Sequence, residues 1–215
     1  MCTHTLAGET FFLHPSGAAY WVERETLLVA DLHLGKATHF RRHGMAVPQY
    51  VQDETLDKLS AALLDLHPRR VLILGDLFHS DYNEEYEDFA DYVVGFTDVT
   101  FELVLGNHDR LTRHQYERIG LRVYDEPYFE GPFCFSHHPL KEDEFDGVHY
   151  ALAGHVHPAV RMHGRGDHLK VPCFHFGADQ GLLPSMGSFT GTHCLQVRRE
   201  DRVFVLAGSS VLRVA

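Results

Sequence analysis

Four short segments of this sequence each set an aspartate, asparagine or histidine just past an apolar run. They are Asp31-Leu32-His33 after Leu27–Ala30, Gly75-Asp76 after Val71–Leu74, Gly106-Asn107-His108-Asp109 after Phe101–Leu105, and Gly154-His155-Val156-His157 after Tyr150–Ala153. Runs of this kind read as buried strands, and in open α/β sheets ligands bind beyond the carboxyl ends of the strands. Asp31 and His33 are two apart, as are His155 and His157. In extended chain such pairs point the same way and can share one divalent ion. Asp76 has two carboxylate oxygens and so can bridge two ions, while Asn107 offers a neutral oxygen suited to a hard cation. Nitrogen and oxygen donors without sulfur fit manganese, iron or zinc rather than a soft metal. His108 points away from its neighbour and could donate a proton to a leaving alkoxide, with Asp109 orienting its ring.

The elements that must position these residues alternate over the first half of the chain. Short strands are expected at Thr10–Leu13, Ala18–Val22 and Thr26–Ala30, and a helix from Pro48 to Leu66, with Val51, Leu56, Leu59, Leu63 and Leu66 on one face. The strand Val71–Leu74 follows. The acidic stretch from Asp81 leads into a helix ending near Gly95, and the strand Phe101–Leu105 comes next. A short helix Leu111–Ile119 is capped by Gly120, and strands follow at Leu121–Val123 and Phe133–Phe135. After His157 the pattern is mostly strand: Leu169–Phe176, Cys194–Val197 and Val203–Leu206, with Glu200-Asp201 as a hairpin turn. This order argues for an α/β fold with an added antiparallel element.

Composition bounds the class. A chain of 215 residues that is 44% hydrophobic suits one domain, residues 1–215, with its own core. No apolar run approaches the roughly 18 residues of a membrane span, and the N-terminus lacks a secretory pattern, so a cytoplasmic location is expected. Cys2, Cys134, Cys173 and Cys194 are too scattered for a zinc ribbon or a disulfide framework. The formal net charge of -11 is unlike a protein that grips long duplex DNA. Asp31–Lys36 is not a phosphate-binding P-loop, since Ala30 replaces the first glycine and Ala37 follows the lysine.

Taken together, Asp31-x-His33, Gly75-Asp76, Gly106-Asn107-His108-Asp109, His137 and Gly154-His155-x-His157 resemble the calcineurin-like metallophosphoesterase superfamily. The resemblance implies a two-sheet αββα sandwich and two metal ions, manganese first, with iron or zinc as alternatives. Asp31, His33 and His157 would hold one ion, Asn107, His137 and His155 the other, and Asp76 would bridge. His137, past the strand Phe133–Phe135, is preferred to His138. Asp31–Lys36, Leu74–Ser80 and the tail Leu183–Gly191 further resemble the bacterial DNA ligase-associated metallophosphoesterases, although Ser185 and Met186 stand where Ala and Phe are expected. That likeness implies a phosphodiesterase or endonuclease on DNA, alongside DNA ligase and helicase repair proteins. Lys36, Arg41 and Arg42 are candidate contacts to backbone phosphate, and the acidic run Glu84–Asp88 favours single-stranded or end-limited DNA over long duplex. A small-molecule phosphatase or nucleotide phosphodiesterase, and a non-enzymatic scaffold, are the rival readings.

Overall fold

The computed structural model describes residues 1–36, 50–79, 84–145, 147, 149–163, 168–188 and 190–215. Two sheets face each other. The first runs in the order β1 (Cys2–Leu6), β2 (Glu9–Leu13), β3 (Ala19–Trp21), β4 (Thr26–Val29), β5 (Arg70–Leu74), β6 (Thr100–Val104), β7 (Leu121–Tyr124). It is antiparallel from β1 to β4 and parallel from β4 to β7. The second sheet centres on β9 (Phe133–Ser136), β10 (Tyr150–Ala153) and β13 (Gln180–Leu182), which are mutually parallel, with the antiparallel β8 (Tyr128–Glu130) at one edge. On its other side lie β11 (Pro158–His163), β12 (His168–Phe176), β14 (His193–Cys194), β15 (Arg202–Ala207) and β16 (Ser210–Arg213).

The near-continuous apolar runs exist because the central strands are buried on both faces. Leu27 and Val29 of β4, with Val71 and Ile73 of β5, join a core with helical residues: Leu59 and Leu63 of α1 (Tyr50–Leu66), Phe89 of α2 (Glu84–Gly95) and Tyr116 of α3 (Arg113–Arg118). Leu28, Leu72 and Leu74 turn the other way and meet Phe133, Phe135, Leu152, Phe174 and Phe204 between the sheets. Arg70 adds a polar tie across the sandwich, its guanidinium donating to both oxygens of Glu130 at 2.7 and 3.0 Å. A smaller cluster of Val171, Cys173, Val203 and Val205 lies on the opposite face of β12 and β15.

The expected α/β two-sheet sandwich is therefore present. Most elements foreseen are found with ends shifted by a residue or two, but the strand expected at Cys194–Val197 is reduced to His193–Cys194, and β1, β8, β11, β13 and β16 were not foreseen. These strands are short, exposed or interrupted by polar residues, so period-2 alternation is faint in them. Glu200-Asp201 does not close a hairpin. The strand before it, β14, pairs with β11, whereas β15 pairs with β12 and β16. The helix start at Pro48 lies outside the described residues. All four cysteines are free thiols, Cys134 and Cys173 buried. Among the described residues no helix is long and apolar enough to cross a membrane.

His4, on β1, is buried against Phe176 and Phe204 with Nε2 lacking a hydrogen-bond partner. Burial, then the charges of Arg202 and Arg213, lower its pKa from 6.5 to about 4. A folded-state pKa below the unfolded one means that the fold excludes the proton. The stability tied to His4 is thus complete above the unfolded pKa of about 6.5 and is lost as pH falls through about 4. Urea midpoints measured from pH 7 to pH 4 are expected to fall more steeply for the wild type than for His4→Phe.

Candidate metal centre

The site forms where the loops after β4, β5, β6, β9 and β10 meet at one rim. Gly154 N–H donates to the His137 carbonyl, and the segment after β4 runs beside the segment after β5. Asp31 N–H donates to Gly75 O at 3.2 Å and His33 N–H to Asp76 O at 2.9 Å. Asp31 Oδ2 accepts from His155 N–H at 2.9 Å, joining the two sheets through a donor residue. Asp76 Oδ1 accepts from His108 N–H, also at 2.9 Å.

The extended-chain argument for the two i, i+2 pairs does not hold. Asp31, His33, Asp76, His155 and His157 all have positive φ, between 48° and 65°. Each pair reaches its common point through left-handed backbone. For residues other than glycine that conformation carries a cost that surrounding structure must offset, and such residues concentrate at functional sites. Close glycines make room. A Cβ on Gly75 would lie 2.3 Å from His137 Nδ1, and one on Gly106 2.5 Å from Asp76 Oδ1.

The structure brings together Asp31, His33 and His157, then Asp31, Asp76 and His137, then His137, His138 and His155. Within each group the ligand atoms lie within 4.8 Å of one another. His137, with no exposed surface, donates Nδ1–H to the Leu74 carbonyl at 3.1 Å. Its Nε2 is then an acceptor, and it faces Asn107 Oδ1 at 3.0 Å and Asp76 Oδ1 at 3.4 Å. His157 likewise donates Nδ1–H to Gly191 O at 2.8 Å and turns Nε2 to Asp31 Oδ1 at 3.4 Å. Asp31 Oδ1 is buried without a hydrogen-bond partner. Ligand atoms this close, around two buried carboxylates, make a donor set that a divalent cation fits. Asp76 turns one oxygen each way, with Oδ2 3.7 Å from His33 Nε2.

The electrostatics agree. Burial, then Lys36 and neighbouring imidazoles, push His33 down to about 2, so it stands neutral and ready to ligate. Burial, His137 and His138 also lower His155. At His157 burial pulls downward, but the adjacent Asp31 carboxylate outweighs it and raises the pKa. Positive charge is therefore favoured beside Asp31. Lys36 is half-buried, lowered by burial and drawn back upward by Asp76 and Asp31, so its ammonium belongs to the same centre. Arg41 and Arg42 lie outside the described residues.

Asp109 is placed differently from expectation. Its carboxylate accepts from Asp76 N–H and Gly106 N–H at 2.8 Å, Leu77 N–H at 3.0 Å and Tyr116 Oη at 3.2 Å. Both oxygens are engaged with these groups, so it braces the loop after β5 against the loop after β6 rather than orienting the His108 ring. Burial pushes its pKa up to about 6, against the pull of those N–H donors. His108 instead stacks on His79 at 5.5 Å between centroids and meets His33 edge-on at 5.6 Å.

His138, the less favoured of the adjacent pair, and His79, given no role from the sequence, both stand at the site. His138 gives Nδ1 to Glu126 Oε1 at 2.6 Å, while Glu126 Oε2 accepts from the N–H groups of both His137 and His138. The adjacency of His137 and His138 was the available signal; Glu126 carried none. The two unexpected tail residues also have places. Ser185 Oγ donates to the Asp31 carbonyl at 2.8 Å, and Met186 is fully buried in the helix-side core.

The fold is the metallophosphoesterase fold, and with the clustered donors it makes the chain a metal-dependent phosphoesterase. The Pseudomonas putida nuclease MPE matches this chain with 27% identity and a TM-score of 0.81, over 99% of each chain. The phosphoesterase Yfce of E. coli is 15% identical, covering 88% of this chain and 98% of that one, with a TM-score of 0.44. A double mutant of Vps29 from Entamoeba histolytica is 14% identical, covering 88% and 96%, with a TM-score of 0.35. No protein-family model matches the chain, and no curated protein matches it.

Asp109→Ala would leave three backbone N–H groups unpaired. The variant is expected to be destabilised by about 3 kcal/mol in urea unfolding, and to bind divalent metal more weakly because Asp76 is released.

Proposed function

We propose that the chain is a binuclear metal-dependent phosphodiesterase, a single domain that cuts single-stranded or end-proximal DNA during repair in the cytoplasm. The observation that carries this reading is the end-to-end similarity to a nuclease at a TM-score of 0.81, with the clustered donors on the same chain. Asp31, His33 and His157 would hold one ion, and Asn107, His137 and His155 the other, with Asp76 reaching both. Manganese is the preferred metal, because mixed carboxylate, imidazole and amide donors suit a borderline divalent ion. When bound, such a pair supplies Lewis-acid polarisation of phosphoryl oxygens and an acidified water.

The chain's own residues do the rest. Lys36, half-buried and within reach of the charges of Asp76 and Asp31, would bring a positive charge to the phosphate oxygens. His108, its backbone tied to Asp76 and its ring held by His79 and His33, protonates the leaving oxygen. The acidic excess, 30 carboxylate residues against 19 basic ones, disfavours long duplex and supports short or single-stranded substrates. DNA ligase and helicase repair proteins are the partners this role implies.

A metal-by-substrate screen tests the reading. Chelator-stripped protein reloaded with manganese is expected to cleave bis-nitrophenyl phosphate and a single-stranded oligonucleotide well above nitrophenyl phosphate or cyclic nucleotides. Asp76→Ala should lose at least about 10²-fold on both. Preference for a monoester or a cyclic nucleotide would instead identify a small-molecule phosphoesterase. His108→Ala is expected to lose about 10²–10⁴-fold on the oligonucleotide but far less on the nitrophenyl diester, whose leaving group needs no proton. Equal losses on the two substrates would remove the acid role.

A further inference from the structure

Beside the donors the surface opens into a cavity of about 840 Å³. His155 and His138, both in the donor cluster, form the wall that the cavity shares with the metal centre. Pro127, Pro139, Leu140 and Val156 line much of the remainder. A phosphate is small and charged and has no use for apolar walls. A cavity of this size and lining is typical of sites for planar organic groups.

We propose that this cavity seats the nucleobase next to the scissile phosphate, taken out of its stack. The proposal rests on the nuclease reading above and adds which part of the substrate is recognised. Three observations converge on a base. The cavity is continuous with the centre that would hold the phosphate, so its occupant is the group attached to that phosphate. His138, held through Nδ1 by Glu126 Oε1 at 2.6 Å, presents an imidazole face that has little freedom left to lose on stacking. The charged residues lining it are Glu126, Glu144 and Lys141, and Lys141 Nζ lies 3.9 Å from Glu144 Oε1. Two carboxylates against one paired ammonium repel a second phosphate but not an uncharged ring.

This assignment also gives single-strand preference a physical cause. A base in a duplex must be unpaired and unstacked before it can enter, whereas a base in a flexible strand is already accessible. Recognition through ring faces and apolar walls is tolerant of sequence, since every base has a π-face.

The test compares two single strands of equal length, one with bases and one with abasic sugars throughout, for the wild type and for Leu140→Asp. The wild type is expected to cleave the base-bearing strand about tenfold more efficiently in kcat/KM than the abasic one. Leu140→Asp is expected to match the wild type on the abasic strand and to lose the preference for the base-bearing one. If Leu140→Asp cleaves neither strand, Leu140→Ala takes its place, with the same pattern expected. Equal cleavage of both strands by the wild type, or undiminished preference in the variant, overturns the base site and leaves the nuclease reading intact. A wild type that hydrolyses bis-nitrophenyl phosphate but neither strand overturns the nuclease reading, and the base site with it.

Discussion

Two carboxylates with almost no solvent exposure, Asp31 and Asp76, stand with His137 in a group whose ligand atoms lie within 4.8 Å of one another. Burying charge of one sign at such a separation is costly without charge of the other sign. The neighbours supply little of it. His33 is held neutral by burial, and His137 turns an acceptor nitrogen inward because its Nδ1–H is committed to a backbone carbonyl, which leaves His157, raised by Asp31, as the imidazole that favours charge. Lys36 is the cation whose charge reaches both carboxylates among the described interactions. Divalent metal answers this imbalance, and much of the local architecture can be understood as holding the imbalance in place.

That architecture is mostly backbone. Asp31 and Asp76 each accept a hydrogen bond from the N–H of a residue on another loop, His155 and His108 respectively. Asp109 gathers the loops after β5 and β6 by accepting from three N–H groups. The tail closes the centre from a third side, with Ser185, Met186 and Gly187 all bonded to the backbone of Ala30 and Asp31. Donors held by a network that spans both sheets need no adjustment when a metal enters, which is the condition for precise ligation. The left-handed residues are tolerated because this network over-determines them.

The same rigidity explains how function divides across the site. The donors sit on the loops beyond parallel strands, where neighbouring strand ends lie side by side. His108 and His79 stack on the side of His33, whereas His138 and Glu126 stand on the side of His155. The centre is therefore flanked by two aromatic arrangements of different character, one next to Lys36 and the other next to the apolar cavity. A substrate lying across it would meet charge on one side and apolar surface on the other.

Some of this was legible in the residues alone. The buried runs Leu27–Ala30, Val71–Leu74, Phe101–Leu105 and Tyr150–Ala153 mark central strands, because only strands covered on both faces are apolar throughout. Aspartate, asparagine and histidine directly after such runs fall at strand ends, so a cluster of metal donors could be expected without coordinates, but not that β10 brings its pair from the second sheet. Other features depend on long-range contact and have no local signature. The inward turn of Asp109 depends on Leu77 and Tyr116, and the role of Glu126 on chain neighbours eleven and twelve residues away. The left-handed backbone at five donors is imposed by their partners rather than by their own propensities. The edge strands β1 and β16 carry too little alternation to be read locally and are defined by pairing. Local sequence thus determined which residue types stand at the strand ends, because burial writes itself into composition; tertiary packing alone decided which way each side chain turns, because that is set by partners far along the chain.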